Sequence, residues 1–438
     1  MLSRVVSLCC LSLLLTAQNS FAEEFPPYHP EAFSGFWIKN PVMNIYDLVK
    51  IPKGEARNEF WSDDYWARYA GGLAYRYSSP GFWINPKNPK PNDWKIPADH
   101  ILRKSPAAAL IKAGRTNLLS PAEKYDLLVG DTGNPRNPKQ PGYTLTRAFL
   151  NEITARTQPW EGSCDGWAFA SINEKPPVKA VKVKNVAGQE ITFYPSDIRA
   201  LLTLLYSDYR VSSFGRNCYS KGPVMDRMGR VRDAGCRDTN PGIFHIVLVN
   251  QLGVGKRGFV MDTDYSAETW NYPVKSYSMQ YLNPQTNQAY ANPLHAAIKK
   301  KDYTNDRYAA YRSENTQYII GVQVQLNYQI EAFPQAVNRL GKDYERTFTS
   351  NYRYDLELDA YGSVIGGEWD RLFQRNHPDL ISFVGTSYIN KSPYDQQVHG
   401  NTLPQILHSI KLPYVREMSS RRRPLYKVVK ALAAMSQE

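Results

Sequence analysis

The sequence has little of what metal sites and membrane spans are built from. Its seven histidines are scattered, with no close pair and no His-Glu-x-x-His, which argues against metalloenzyme chemistry. Beyond the N-terminus, no segment reaches the roughly 18 apolar residues of a transmembrane helix, so no stable span is expected. No unit repeats at a fixed period, which excludes solenoids and propellers. Charge of one sign is not concentrated: 53 Lys+Arg against 41 Asp+Glu leave +12, dispersed along 438 residues, and no nucleic-acid partner is expected. Cysteine is sparse, at five.

Aromatic residues are abundant: 9 Trp, 30 Tyr and 16 Phe, in a chain that is 42% hydrophobic, exclude disorder. Arg4, the apolar run Val5 to Ala17 and the small-residue site Ser20-Phe21-Ala22 predict a secretory signal over residues 1–22, cleaved near Ala22. The mature chain is then extracellular or periplasmic. Cys9 and Cys10 leave with the signal, and Cys164, Cys218 and Cys236 remain. Cys218 and Cys236 lie in a Gly-rich, polar stretch with little core of its own. In an oxidising compartment a bridge between them is expected, contributing about 3 kcal/mol. Cys164 is left as a buried apolar residue or a nucleophile.

Residues 23–104, rich in Pro, Trp and Tyr, read as irregular cover or a pro-segment-like region. A catalytic domain is expected over 105–390 and a basic tail over 391–438, with Arg421-Arg422-Arg423 solvated and a short helix at its end. Residues 105–130 read as helical, with Pro-rich turns at 134–141. Two short strands are expected within 178–194, around Ala187-Gly188. Pro195-Ser196-Asp197 opens a helix whose Ile198, Leu201, Leu202 and Leu205 share one face. Ile243 to Asn250 reads as an apolar strand, broken at Gly253-Val254-Gly255 and followed by a strand over Gly258 to Thr263, together an antiparallel hairpin. Ile320, Val322, Val324, Leu326 and Tyr328 alternate as a strand does, and Tyr354 to Leu358 and Ser363 to Trp369 are further strand candidates.

Ser163 can cap a helix beginning at Cys164, and a helix N-terminus favours a thiolate. Cysteine catalysis also needs an imidazole to handle the proton and a group to orient that imidazole. In the expected hairpin His245 faces Asp262 if Gly253-Val254 form the turn, and Asp264 if Val254-Gly255 do; both aspartates share its face. Gln158, six residues before Cys164, stands where papain-like proteases carry an oxyanion-stabilising Gln. Gly162-Ser163-Cys164 and Trp167-Ala168-Phe169 echo the papain run with two extra residues, and Trp160 offers an indole N–H. A helix carrying the cysteine on an antiparallel sheet carrying His245 and Asp262 is an α+β fold, papain-like in the broad sense.

Three blocks carry a more specific likeness: Trp160-Glu161-Gly162-Ser163-Cys164-Asp165-Gly166-Trp167, Cys236-Arg237-Asp238-Thr239-Asn240-Pro241-Gly242-Ile243-Phe244-His245, and Trp270-Asn271-Tyr272-Pro273-Val274-Lys275. Ser363 to Trp369 adds a fourth. In these the sequence resembles the elicitor-type transglutaminases of oomycetes and marine bacteria, over about 105–390. The resemblance implies a transglutaminase core with a triad of Cys164 as nucleophile, His245 as base and Asp262, by its place before Glu268 and Trp270-Asn271, as orienting group. Asp165 departs from the His that those enzymes tend to carry there. The implied reaction is acyl transfer from a protein glutamine, through a thioester, to a lysine amine or to water, so the implied partners are proteins with accessible Gln and Lys side chains. The chemistry itself requires no cofactor. The resemblance brings an expectation of Ca2+, but the sequence has no EF-hand loop, and Asp262, Asp264 and Glu268 meet no calcium spacing. Two rival readings share these residues: a cysteine protease or amidase with the same triad, and a non-catalytic elicitor or binding protein on the same fold.

Overall fold

The computed structural model describes residues 40–79, 100–133, 142–154, 156–207, 212–220, 222–237, 239–264, 266–383 and 393–437. The predicted signal 1–22 and the Pro-rich turns 134–141 lie outside the described residues.

A long antiparallel sheet organises the chain. In sequence order its strands and a separate hairpin are β1 (Lys53–Glu55), β2 (Val181–Lys184), β3 (Glu190–Phe193), β4 (Ser212–Gly215), β5 (Phe259–Asp262), β6 (Asn271–Leu282), β7 (Ile298–Lys299), β8 (Tyr318–Ile330), β9 (Arg346–Leu358), β10 (Val364–Gly366) and β11 (Leu380–Phe383). The spatial order is β10-β9-β8-β6-β5-β11-β4, with β1 added to β6 and β7 to β8; β2 and β3 pair apart. β8 and β9 run in unbroken register from Tyr318 opposite Leu358 to Ile330 opposite Arg346. The alternation read in the sequence is why: Val322, Val324 and Leu326 are buried while Gln323 and Gln325 face solvent. The strand expectations within 178–194, at 354–358 and at 363–369 are met by β2 with β3, by β9 and by β10.

The helix Pro195–Tyr206 begins where Pro195 and Asp197 place it, the Asp197 carboxylate accepting the Tyr194 N–H at 2.6 Å. It is buried all round. Asp197 is paired with buried Lys124 at 2.5 Å, as a fully enclosed charge must be. The helix Cys164–Asn173 packs on it so closely that a Cβ at Gly166 would meet Ser207 Oγ at 2.1 Å and Thr203 O at 2.4 Å. Only glycine allows that approach.

The expected hairpin over Ile243 to Thr263 is corrected by the structure. Pro241–Val247 is a helix, continued by a wider helical turn over Leu248–Val254. Asn240 caps it, its side chain accepting the Gly242 N–H at 2.8 Å, and Pro241 sits at the first helical position. Every residue of that helix is buried, so it has no polar stripe to reveal a helical period. Phe259 to Asp262 is a strand, but its partners are β6 and β11.

Residues 40–79 are built into the core. Trp61 and Trp66 are 0% and 1% exposed, Trp61 N–H donates to Ser171 Oγ at 2.8 Å, and Trp167 Nε1 donates to Trp61 O at 3.0 Å. Arg76 grips buried Glu123 at 2.5 Å. At the other end, the residues expected as a tail form the helices Leu403–Ser409, Leu412–Ser420 and Tyr426–Gln437. Val415, Val428, Val429 and Leu432 of these enter the main core, and Arg422 pairs with Glu152 at 2.9 Å. Cys218 and Cys236 form a disulfide, as expected, and Cys164 is unpaired.

Candidate active site around Cys164

Cys164 is the first residue of its helix and 6% exposed. Ser163 occupies the N-cap position, but its side chain does not make the expected capping bond. The approach to the cysteine is pinned by the N-terminal segment. Ser163 N–H donates to Tyr65 O at 2.6 Å, and a Cβ at Gly162 would lie 2.3 Å from that same oxygen. Glycine at 162 thus lets Tyr65 cross over the turn.

The sulfur lies against the loop joining β5 to β6. Its thiol donates to Thr269 O at 3.6 Å, and Asn271 Nδ2 donates to it at 3.7 Å. Asn271 stands opposite Asp262 in the β5–β6 ladder. Asp262 is 1% exposed, and its Oδ1 accepts N–H groups from Trp270 (2.8 Å) and Asp264 (3.1 Å). Asn217, carried beside it from β4, donates to Thr269 Oγ1 at 2.8 Å and to Asp262 Oδ2 at 3.3 Å. A carboxyl group is thereby joined through Asn217 to the residue whose carbonyl holds the thiol.

Burial, followed by the Asp165 charge, pushes the Cys164 thiol up to about 12, against the opposing pull of the Asn271 N–H groups. The helix N-terminus does not outweigh this desolvation. Burial likewise raises Asp262 to about 7 against its N–H donors, and raises Asp379 to about 9 with the Asp262 charge as second cause.

The structure does not bring His245 to this cysteine. Its helix sends the imidazole among β6 and β9, where Nδ1 meets Tyr354 OH at 2.9 Å and Nε2 meets Tyr281 OH at 3.1 Å. Both ring nitrogens are thus engaged, and complete burial pushes the ring down to about 3, keeping it neutral. Tyr281 and the sulfur's partner Asn271 lie at opposite ends of β6; ten residues of strand span about 33 Å. His245 sits on a buried helix and not on a strand paired with β5, so it does not stand beside Asp262 as expected. Neither Asp262 nor Asp264 pairs with the His245 ring: Asp262 ends β5 against Asn271, and Asp264 Oδ1 accepts the Ser266 N–H at 2.7 Å.

Gln158 is exposed and its side-chain amide donates to Arg156 O at 3.0 Å. Trp160 is half-buried in the turn before Gly162. The sulfur's hydrogen-bond partners are Thr269 and Asn271, in place of these two. Asn217, Thr269 and Tyr65 escaped the sequence reading; Asn271 lay inside a block already marked, Trp270 to Lys275.

Asp262, Asp264 and Glu268 each turn an oxygen to an N–H donor, Glu268 to the Trp270 indole at 3.1 Å. Among the described residues no group of three or more His, Cys, Asp or Glu side chains is disposed to hold a metal ion.

The transglutaminase elicitor family model matches residues 152–392, more than half of the chain and inclusive of Cys164, Asp262 and Asn271. The chain belongs to the transglutaminase elicitor family. Among solved structures, this family member is similar to the crystal structure of the GP42 transglutaminase from Phytophthora sojae. The TM-score is 0.55 and the identity 19%, over 91% of this chain and 99% of that one. The likeness supports the α+β transglutaminase fold. No curated protein matches the sequence. Among the described residues, no helix is long and apolar enough to cross a membrane.

Proposed function

We propose that the chain is an exported transglutaminase-type acyltransferase with Cys164 as its nucleophile. The observation that carries this reading is the seat of the sulfur: an unpaired cysteine opening a helix, held by Thr269 and Asn271, and joined through Asn217 to the buried carboxyl of Asp262. Family membership supplies the reaction class, and the disulfide and the signal-like N-terminus are consistent with export. Cys164 attacks the γ-carboxamide of a protein glutamine, ammonia leaves, and the thioester passes to an amine or to water. Asn271 is placed to stabilise negative charge on the sulfur, and Asp262 to fix the loop that carries Thr269 and Trp270. The thiol rests protonated against a carbonyl oxygen. Burial and the Asp165 charge hold that thiol in its protonated form, so turnover calls for substrate binding to rearrange this shell.

One observation favours a second reading: His245 is engaged by two tyrosines, away from the sulfur. A binding or elicitor protein on the family fold, without turnover, accounts for that directly. Casein with a labelled amine separates the readings. Label incorporation that disappears in Cys164→Ala supports acyl transfer, peptide fragments support a protease, and an inert but folded protein supports the binding role.

A further inference from the structure

At the end of the sheet away from Cys164, arginines gather around a second cavity. Tyr281, Val322 and Tyr354 stand in register across β6, β8 and β9. That places Tyr354 at the His245 end, roughly 33 Å along β6 from the sulfur's partner Asn271. Tyr354 helps to line a polar cavity of 230 Å³, together with Arg307, Arg353 and Arg371. Drug-sized pockets begin at about 300 Å³, so this one has room for a single small polar ring.

Arg307 and Arg371 are exposed and flank one turn: a Cβ at Gly229 would lie 3.5 Å from Arg371 Nε and 3.7 Å from Arg307 Nη1. The hairpin that carries this turn, closed by the Met225–Val231 bridge, adds exposed Arg227 and Arg232. Exposed Arg375 donates to Pro223 O beside it at 2.7 Å. Among the described residues, none of these five guanidinium groups has a carboxylate within ion-pair distance. Like charges gathered in this way raise the local positive potential and attract an anion. The cavity's own carboxylates are largely spoken for. Asp355 is held by both arms of Arg312, at 2.6 and 2.7 Å, and Glu368 by Arg230, at 2.6 and 3.0 Å. The opposing charges are Asp306, which shares Arg312 at 2.9 Å, and Asp370. Asp370 Oδ1 accepts the Leu372 N–H at 3.1 Å, while its Oδ2 stands 3.8 Å from Arg353 Nε, beyond hydrogen-bond reach. Tyr308 OH accepts from Gln374 Nε2 at 3.3 Å and keeps its own proton to donate.

We propose that this cavity binds an acidic sugar, a hydroxyl-bearing ring with one carboxylate, as a unit of an acidic polysaccharide. The carboxylate meets the Arg307–Arg371 pair, whose planar forks match it. The ring hydroxyls donate to Asp370 and accept from Tyr308 and Arg353. An acidic peptide side chain would use the arginines alone and be repelled by Asp370, whereas a sugar acid uses both signs. Arg227, Arg232 and Arg375 extend the basic surface for the next carboxylates of the polymer. The site does not depend on turnover at Cys164, and binding at this end leaves the cysteine end open.

Titration calorimetry of the full chain tests the site. The probes are galacturonate and glucuronate, their neutral counterparts galactose and glucose, acetate, an oligomer of whichever acid binds better, and poly-glutamate of the same length. We expect at least one acid to bind about tenfold more tightly than its neutral counterpart, which lacks the charge, and than acetate, which lacks the ring. Its affinity should fall as salt rises. Arg307→Gln and Arg371→Gln, both at exposed positions, should each weaken that acid about tenfold with an unchanged circular dichroism spectrum. Arg115→Gln, also exposed but outside the patch, should leave the affinity unchanged. The proposal is overturned if neither acid binds at millimolar concentration, if the neutral sugar or acetate binds as well as the acid, or if neither cavity variant weakens binding. Poly-glutamate binding more tightly than the sugar-acid oligomer also overturns it, and assigns the patch to acidic protein segments.

Discussion

The chemistry of Cys164 at rest is open to a direct kinetic test. Iodoacetamide consumes thiolate, so its rate follows the ionised fraction of the sulfur. Burial and the Asp165 charge set the midpoint at about 12, against an ordinary value of 9.0. At pH 8 an ordinary thiol is roughly one-tenth ionised and Cys164 roughly one part in ten thousand. Native Cys164 should therefore be alkylated about a thousandfold more slowly than the same residue in the denatured chain, before steric shielding adds to the difference. The assay is mass spectrometry of the Cys164 peptide over a time course, at pH 7 to 10, with native and denatured samples in parallel. Asp165→Asn removes the second cause and should raise the native rate several-fold; Asn271→Ala removes a counteracting donor and should lower it. Native alkylation at pH 8 as fast as in the denatured chain would refute the protonated, carbonyl-bound thiol. So would an Asp165→Asn rate below that of the parent.

Other perturbations test the placement of the remaining groups. His245→Gln should cost about 2–4 kcal/mol in urea unfolding, since it disturbs a buried imidazole with two tyrosine partners. The kcat of its folded fraction should be unchanged, and a fall by orders of magnitude with the fold intact would return the ring to the chemistry. Burial holds that imidazole near 3 in the folded chain, whereas an unfolded one titrates near 6.5. Between those values the unfolded chain binds more protons, so this contribution is present above about 6.5 and is lost as pH falls toward 3. The stability curve of His245→Gln should be flatter across that window, and an unchanged slope contradicts the neutral ring. Gly166→Ala drives a methyl group into Ser207 and Thr203 and should cost about 1–3 kcal/mol, read as a lowered Tm. Reducing the Cys218–Cys236 bond should cost about 3 kcal/mol by loop entropy, and an unchanged urea midpoint would contradict that.

The parts of the fold that were legible in the sequence are those with one wet face. β8 shows its period of two because Gln323 and Gln325 meet water between Val322, Val324 and Leu326. Residues 195–206 were legible through Pro195 and Asp197 at the helix entrance. Residues 241–247 were not, since a wholly buried helix rich in β-branched residues carries no polar stripe, and Asn240-Pro241 was the signal that should have outweighed the apolar run. That single error of period moved His245 from a helix beside Tyr281 and Tyr354 to a strand beside Asp262. Cys164 was legible from local motif and cysteine arithmetic. Asp262 was singled out through the likeness of its surrounding block. Asn217, Thr269 and Tyr65 meet at the site through long-range pairing of β4, β5, β6 and β11 and through an N-terminal crossing, none of which leaves a local pattern.

The most direct measurement is incorporation of a labelled primary amine into casein by the full chain and by Cys164→Ala, with circular dichroism confirming that both are folded. Time-dependent labelling by the parent and none by the variant is the expected result. No labelling by a folded parent would leave a family fold without turnover, and equal labelling by Cys164→Ala would place the nucleophile elsewhere.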